Sequence, residues 1–398
     1  LSDSESTKQD EHPLNLVREI EEIVDEDVEV LGDDQVEQAW ESFKQKFLGR
    51  RGVAFGAFFI VVVLVFLYGV LPKLPGIERS VDQIAHRSDP WWIFIAFGLK
   101  AISYVSYIWY FRAIFDREAP LIGWLGSYHI SMAGVAATRM IGAAGAGGVA
   151  LTFWAVRKAG MGRRDSISYL VAFYVILYGI FMFALLLGGL LLREHVLPGP
   201  APFALTVIPA LIGGIVILFF LAALLVPTNV ERLAGHWASG RGRLATLAGK
   251  TAAVPALIGQ GTRIAFKLTR ERDVGLIGAL GWWVFDLATL WACFQAFGYT
   301  VPFGALLMGY LFGWIANVIP TPGGVGAVDG GMIGAYAAFG VPVDIAVAAV
   351  LAYRIFAFFL PTIPGVISFL RLRRLTAEWQ EKLGATIKSK VTPEGSSA

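Results

Sequence analysis

The chain has 398 residues, of which 56% are hydrophobic and 16% charged, with a mean hydropathy of +0.62. A soluble core of this size needs far less apolar surface, so the class is an all-α polytopic membrane protein. A single cysteine, Cys293, excludes an intrachain disulfide and a thiolate metal cluster, and the net charge of +2 hides an uneven distribution.

Residues 1–48 hold 15 of the 31 acidic residues and 4 of the 33 basic ones, leaving 16 acids against 29 bases in the rest of the chain. Leu14, Val17, Ile20 and Val24 recur at helical spacing and predict an amphipathic acidic helix, followed by a second around Val36 to Phe47. This segment reads either as a solvated or partly disordered acidic cap, or as an arm that docks on the basic loop at 227–273. No basic n-region, short apolar stretch and cleavage site opens the chain, so the first span is expected to serve as its own insertion signal.

Apolar runs long enough to cross a hydrocarbon core of ~30 Å at ~1.5 Å per residue occur at 53–71, 91–115, 166–192, 203–226, 274–297 and 342–370. These predict six spanning helices. Two further apolar regions, 119–156 and 302–340, are broken near the middle by small or helix-breaking residues and predict re-entrant helical hairpins.

Lysine and arginine set the orientation. Arg50 and Arg51 place the N-terminus in the cytoplasm, while the 72–90 loop balances its charges and reads as external. Arg112 and Arg117, then Arg157, Lys158, Arg163 and Arg164, bracket the first hairpin on the cytoplasmic side. The 227–273 loop is strongly basic, is interrupted by Pro255, and predicts cytoplasmic interfacial helices. Arg371, Arg373 and Arg374 put the C-terminal tail, 376–398, inside as well, in the plasma membrane of the cell. With those assignments hairpin 302–340 enters from the opposite face, which gives an inverted repeat of about 53–192 and 203–370 within a membrane domain spanning 49–375. Gly145, Gly148 and Gly162 match Gly323, Gly326 and Gly340 at a common offset, and Ile141 matches Ile319. Transporters of this architecture place their substrate near the midplane, where broken helices meet.

The segment Pro320-Thr321-Pro322-Gly323-Gly324-Val325-Gly326 cannot form regular helix, and irregular backbone in hydrocarbon requires a protein-lined or wet cavity. At the other break stands Arg139, followed by Gly145, Gly147 and Gly148. A guanidinium binds phosphate through paired hydrogen bonds, and glycines let helix N–H groups approach the same anion. The alternative is that Arg139 snorkels or neutralises a carboxylate while the glycines allow close packing. Lys100, Asp286 and Arg354 lie well inside spans, where charges face a bundle interior. Lys100 and Asp286 suit a structural ion pair, or Asp286 accepts a proton or an ammonium group. Asp329 reads as a gate or a helix cap, and Asn317 as a partner for freed backbone or for substrate. Trp91, Trp92, Trp282, Trp283 and Trp379 read as interface markers, and Tyr104, Tyr107 and Tyr110 share one helix face or simply pack.

No HExxH pair, Walker A loop or βαβ-type glycine motif is present, so an ATP-driven pump and a soluble catalytic apparatus are not expected. Neither a metal nor another cofactor is called for. The basic residues hug membrane ends on one side, which disfavours nucleic acid as a partner.

The proline–glycine segment, Leu351-Ala352-Tyr353-Arg354 and the proline-containing final helix resemble the second half of the lysylphosphatidylglycerol synthase transmembrane (flippase) domain family. Thr138-Arg139, Gly145-Ala146-Gly147-Gly148 and Arg157-Lys158-Ala159-Gly160 resemble its first-half element, so the likeness covers about residues 50–375. The resemblance implies movement of aminoacylated phospholipids, or of polyprenyl-linked sugars in relatives, between leaflets. The substrate is expected near Arg139, Asn317, Pro320, Pro322, Gly323, Gly324, Asp329, Tyr353 and Arg354, and the soluble aminoacyltransferase domain of longer members is not expected. One departure is Ala172-Phe173-Tyr174-Val175, where many relatives carry an acidic–arginine pair. The expected partners are membrane lipids, with a homo-oligomer or a separate lipid-synthesising enzyme as further candidates. The expected function is a lipid flippase, the alternatives being an intramembrane lipid transferase and a non-transporting scaffold.

Overall fold

The computed structural model describes residues 89–140, 146–225, 243–271, 274–318, 324 and 326–391. All of them belong to the second of the two units into which the chain divides, residues 72–398. The acidic segment, the expected span 53–71, and the break residues Gly145, Pro320, Pro322 and Gly323 lie outside the described residues.

Eleven α-helices are described: α1 (Pro90–Phe115), α2 (Gly123–Met140), α3 (Ala146–Lys158), α4 (Arg163–Arg193), α5 (Phe203–Ala223), α6 (Arg243–Arg270), α7 (Gly275–Ala296), α8 (Phe303–Ile315), α9 (Ala327–Ala338), α10 (Val343–Arg354) and α11 (Leu360–Val391). No strand occurs among the described residues. Proline sets several starts, because its fixed φ suits the helix entry and its missing N–H costs nothing there. Pro90 follows the cap Asp89, whose carboxylate accepts from the Trp91 N–H at 3.0 Å, and Pro202, Pro302 and Pro342 stand at the N-caps of α5, α8 and α10. The second helix of each broken region stops at a left-handed glycine, Gly160 at φ +95° and Gly340 at φ +83°. The glycine matching Gly340 in role is therefore Gly160 rather than Gly162.

Four single helices, α1, α4, α5 and α7, and the composite Val343–Ala385 are long and apolar enough to cross a membrane. Each corresponds to one of the expected spans. Their outward faces carry large apolar side chains such as Phe94, Val105, Ile215 and Leu218, as lipid contact requires. The helix that carries the last expected span continues past its apolar run, since α11 runs on to Val391. Trp379 on that extension is buried against Gly126 of α2 and marks no interface. Likewise α6 is one helix that continues through Pro255 and packs on α4, where a Cβ on Gly261 would stand 2.8 Å from the Ser168 carbonyl.

The centre is the α1–α7 pair, packed closely because Gly278 of α7 lies against the backbone of Ser106 and Tyr110. The two broken regions are each a pair of packed helices, α2 with α3 and α8 with α9. Gly148 abuts Thr138 and Gly134 in the first, and Gly313 abuts Met332 in the second. Further contacts join α2 to α11, α8 to α4, α3 to α4 and α9 to α10. A single π-helical turn, Ile355–Phe359, links α10 to α11.

Candidate functional site

Burying an ion in an apolar bundle is costly unless it is paired and fully hydrogen-bonded. Lys100 of α1 and Asp286 of α7 are 2% and 0% exposed and form an ion pair through Asp286 Oδ1. The other oxygen, Oδ2, accepts from the Tyr310 hydroxyl at 2.7 Å and the Tyr353 hydroxyl at 2.9 Å. The carboxylate thereby joins α1, α7, α8 and α10. The Lys100 ammonium also sits 4.7 Å from the Tyr104 ring centre and 5.0 Å from that of Trp282, which offers it cation–π attraction in place of water. Trp282 and Trp283 are thus interior residues, not interface markers. Trp283 donates its indole N–H to the Leu177 carbonyl of α4 at 2.8 Å.

Next to this pair the backbone itself supplies acceptors. Pro361 has no N–H to give the Ala357 carbonyl four residues earlier, and the π turn falls at that place. Arg139, at the end of α2, fills the gap: Nη2 donates to the Ala357 carbonyl and to the Tyr104 hydroxyl at 2.8 Å, and Nη1 donates to the Phe358 carbonyl at 2.9 Å. Tyr104 in turn donates to Ala357 at 3.3 Å, and Thr362 donates its hydroxyl to Phe358 at 2.5 Å. Among the described residues Arg139 meets no carboxylate, so the reading in which it neutralises one is replaced by a cap on freed carbonyls.

Arg354 shares Phe358 with Arg139: the ring centre is 5.5 Å from the Arg139 guanidinium carbon and 5.7 Å from that of Arg354. Arg354 pairs with Asp329 at the start of α9 and donates to the Gly324 carbonyl at 2.9 Å. Asp329 also accepts from the Gly326 N–H at 3.0 Å, so it caps α9 while bound to the arginine. Gly324, at φ +68°, is packed so that a Cβ would meet Asn317 Oδ1 at 2.8 Å. Asn317 therefore lies against the broken segment.

The structure thus gathers Lys100, Arg139, Asp286, Asn317, Gly324, Asp329, Tyr353 and Arg354 around the π turn. Gly147 and Gly148 are instead buried at the start of α3, with Gly148 in the α2–α3 contact. Sequence reading missed Tyr310, Trp282 and the Ala357 and Phe358 carbonyls. Trp282 stands four residues before Asp286, one turn away on the same face, and Pro361 marks Ala357 by the same spacing. Both spacings were available signals.

Apolar helices of spanning length around a sealed ionic core define a multi-pass helical membrane protein. Its residues 52–365 match the model of the lysylphosphatidylglycerol synthase TM region, and the chain belongs to that family. Among curated proteins it is similar to a UPF0104 membrane protein of Methanothermobacter thermautotrophicus, with 33% identity over 102 residues, 25% of this chain and 29% of that protein. It is similar also to a UPF0104 membrane protein of Methanocaldococcus jannaschii, with 34% identity over 93 residues, 23% and 28% of the two chains. The chain thus spans less than a third of the length of either relative.

Proposed function

We propose that this chain binds an anionic or zwitterionic lipid headgroup between two inverted halves and passes it between the leaflets of the plasma membrane, with both termini in the cytoplasm. The observation that carries the reading is Arg139, a half-buried cation at the break of an apolar hairpin whose described partners are all neutral. Phosphate is the natural counter-charge for such a guanidinium. The inverted repeat is supported by contacts that exchange in pairs: α2 meets α11 as α8 meets α4, and α3 meets α4 as α9 meets α10. In this reading α2–α3 and α8–α9 are re-entrant hairpins entering from opposite faces, and aminoacyl phospholipid, glycolipid and polyprenyl-phosphate sugar are candidate cargoes. The lipid leaves unaltered, so the chain is a transporter and not an enzyme.

Vesicles containing the purified protein and a fluorescent phosphatidylglycerol test this. The expected result is that the inner-leaflet label becomes accessible to an external quencher and that the lipid is recovered with its mass unchanged. A label that stays protected contradicts transport, and a changed mass points to a transferase.

A further inference from the structure

Away from the ends of its apolar segments the whole sequence holds five charged side chains: Lys100, Arg139, Asp286, Asp329 and Arg354. The two breaks, 141–145 and 319–323, add no ionisable group. Arg112 and Asp344 stand within one turn of a segment end, and Arg112 is paired with Asp116 there. Three cations face two carboxylates, and the carboxylates are already committed one to one, Asp286 to Lys100 and Asp329 to Arg354. The surplus of one positive charge resides on Arg139. Its guanidinium has five N–H donors, and three hydrogen bonds account for its described partners. Among the described residues the other two donors meet no acceptor.

From this charge balance, and resting on the headgroup reading of Arg139 given above, we infer that the site selects a lipid whose headgroup carries a single net negative charge, a phosphodiester with no compensating ammonium. In a medium of low dielectric, uncompensated charge dominates the energy of loading. A monoanionic headgroup makes the six-charge assembly neutral. A zwitterionic headgroup leaves the surplus in place. A headgroup of net positive charge, such as an aminoacylated phosphatidylglycerol, raises it to two, and a diphosphate reverses it. Arg354 does not relieve this, because Asp329 holds it from both oxygens.

The test is competitive retention of lipid by the full chain, read by native mass spectrometry from bilayer discs. The discs hold equal amounts of phosphatidylglycerol, phosphatidylethanolamine and lysylphosphatidylglycerol. Phosphatidylglycerol is expected to be retained about tenfold over the cationic lipid, the ratio that corresponds to about 1.4 kcal/mol. Arg139→Gln, which makes the empty assembly neutral, is expected to abolish the preference for phosphatidylglycerol and to favour the zwitterionic lipid over both charged ones, while Arg139→Lys, which keeps the charge, retains the preference. Equal or greater retention of the zwitterionic or cationic lipid by the unmutated protein overturns the inference, whatever the variants do. Displacement of bound phosphatidylglycerol by an equal concentration of inorganic phosphate overturns it too, since the site then takes the free anion. Retention with the expected preference but no leaflet exchange removes the transport reading and leaves the charge rule standing. Exchange without the preference does the reverse.

Discussion

Tyr353 and Arg354, neighbours on α10, reach two different carboxylates: the tyrosine donates to Asp286 at 2.9 Å and the arginine pairs with Asp329. Successive residues of a helix point about 100° apart, so this one turn of α10 couples the central ion pair to the start of α9. Tyr353 shares Asp286 Oδ2 with Tyr310. Tyr353→Phe is therefore expected to cost about 1 kcal/mol, while Tyr310→Phe/Tyr353→Phe together strips a buried carboxylate oxygen of both donors and costs more than the two single changes added. Thermal unfolding in detergent reads the difference, and simple additivity would speak against a shared acceptor.

Lys100 and Asp286 are sealed from solvent. Lys100→Met or Asp286→Leu alone leaves an unpaired buried ion, at a cost of about 3–5 kcal/mol. Neutralising both should recover most of that stability, although Tyr310 and Tyr353 then lose their acceptor. A double variant as unstable as the two losses summed would show that the pair is not the unit of stability.

Arg139 compensates a missing backbone donor at Pro361. Arg139→Gln should leave the Ala357 carbonyl with the longer bond from Tyr104 alone and cost about 1–3 kcal/mol. Adding Pro361→Ala supplies an N–H one turn from Ala357 and should restore part of the loss. If the second change lowers the melting temperature further, the arginine does not serve as the substitute donor.

Orientation is tested at the two ends of α4, where Asp165 and Glu194 are exposed. In a Cys293→Ala background a membrane-impermeant thiol reagent applied outside intact cells should label Glu194→Cys and spare Asp165→Cys. The opposite pattern would invert the proposed topology.

Hydropathy and charge along the chain identified the described spans because twenty-residue apolar runs have few alternatives in a membrane. The two broken regions were legible for the same reason, through residues such as Gly148 and Gly326. Roles inside the bundle were less so. Trp282 and Trp379 look alike at a span end, and only packing shows that one faces Lys100 and the other Gly126. The Lys100–Asp286 pair could be anticipated, since two opposite charges in apolar helices need each other, whereas the choice of Asp329 for Arg354 depends on how α9 meets α10. The π turn left no hydropathy signal, because its five residues, Ile355 to Phe359, are as apolar as any regular turn.

The central claim is that Arg139 holds a lipid headgroup that crosses the membrane here. Its most direct test is the initial rate of leaflet exchange of a fluorescent phosphatidylglycerol in vesicles carrying equal amounts of folded protein, unmutated or Arg139→Gln. The account predicts exchange by the unmutated protein and a fall of about tenfold or more in the variant, as loss of a charge-assisted contact of about 1.5–3 kcal/mol implies. Equal rates in the two proteins would place the headgroup elsewhere and contradict it.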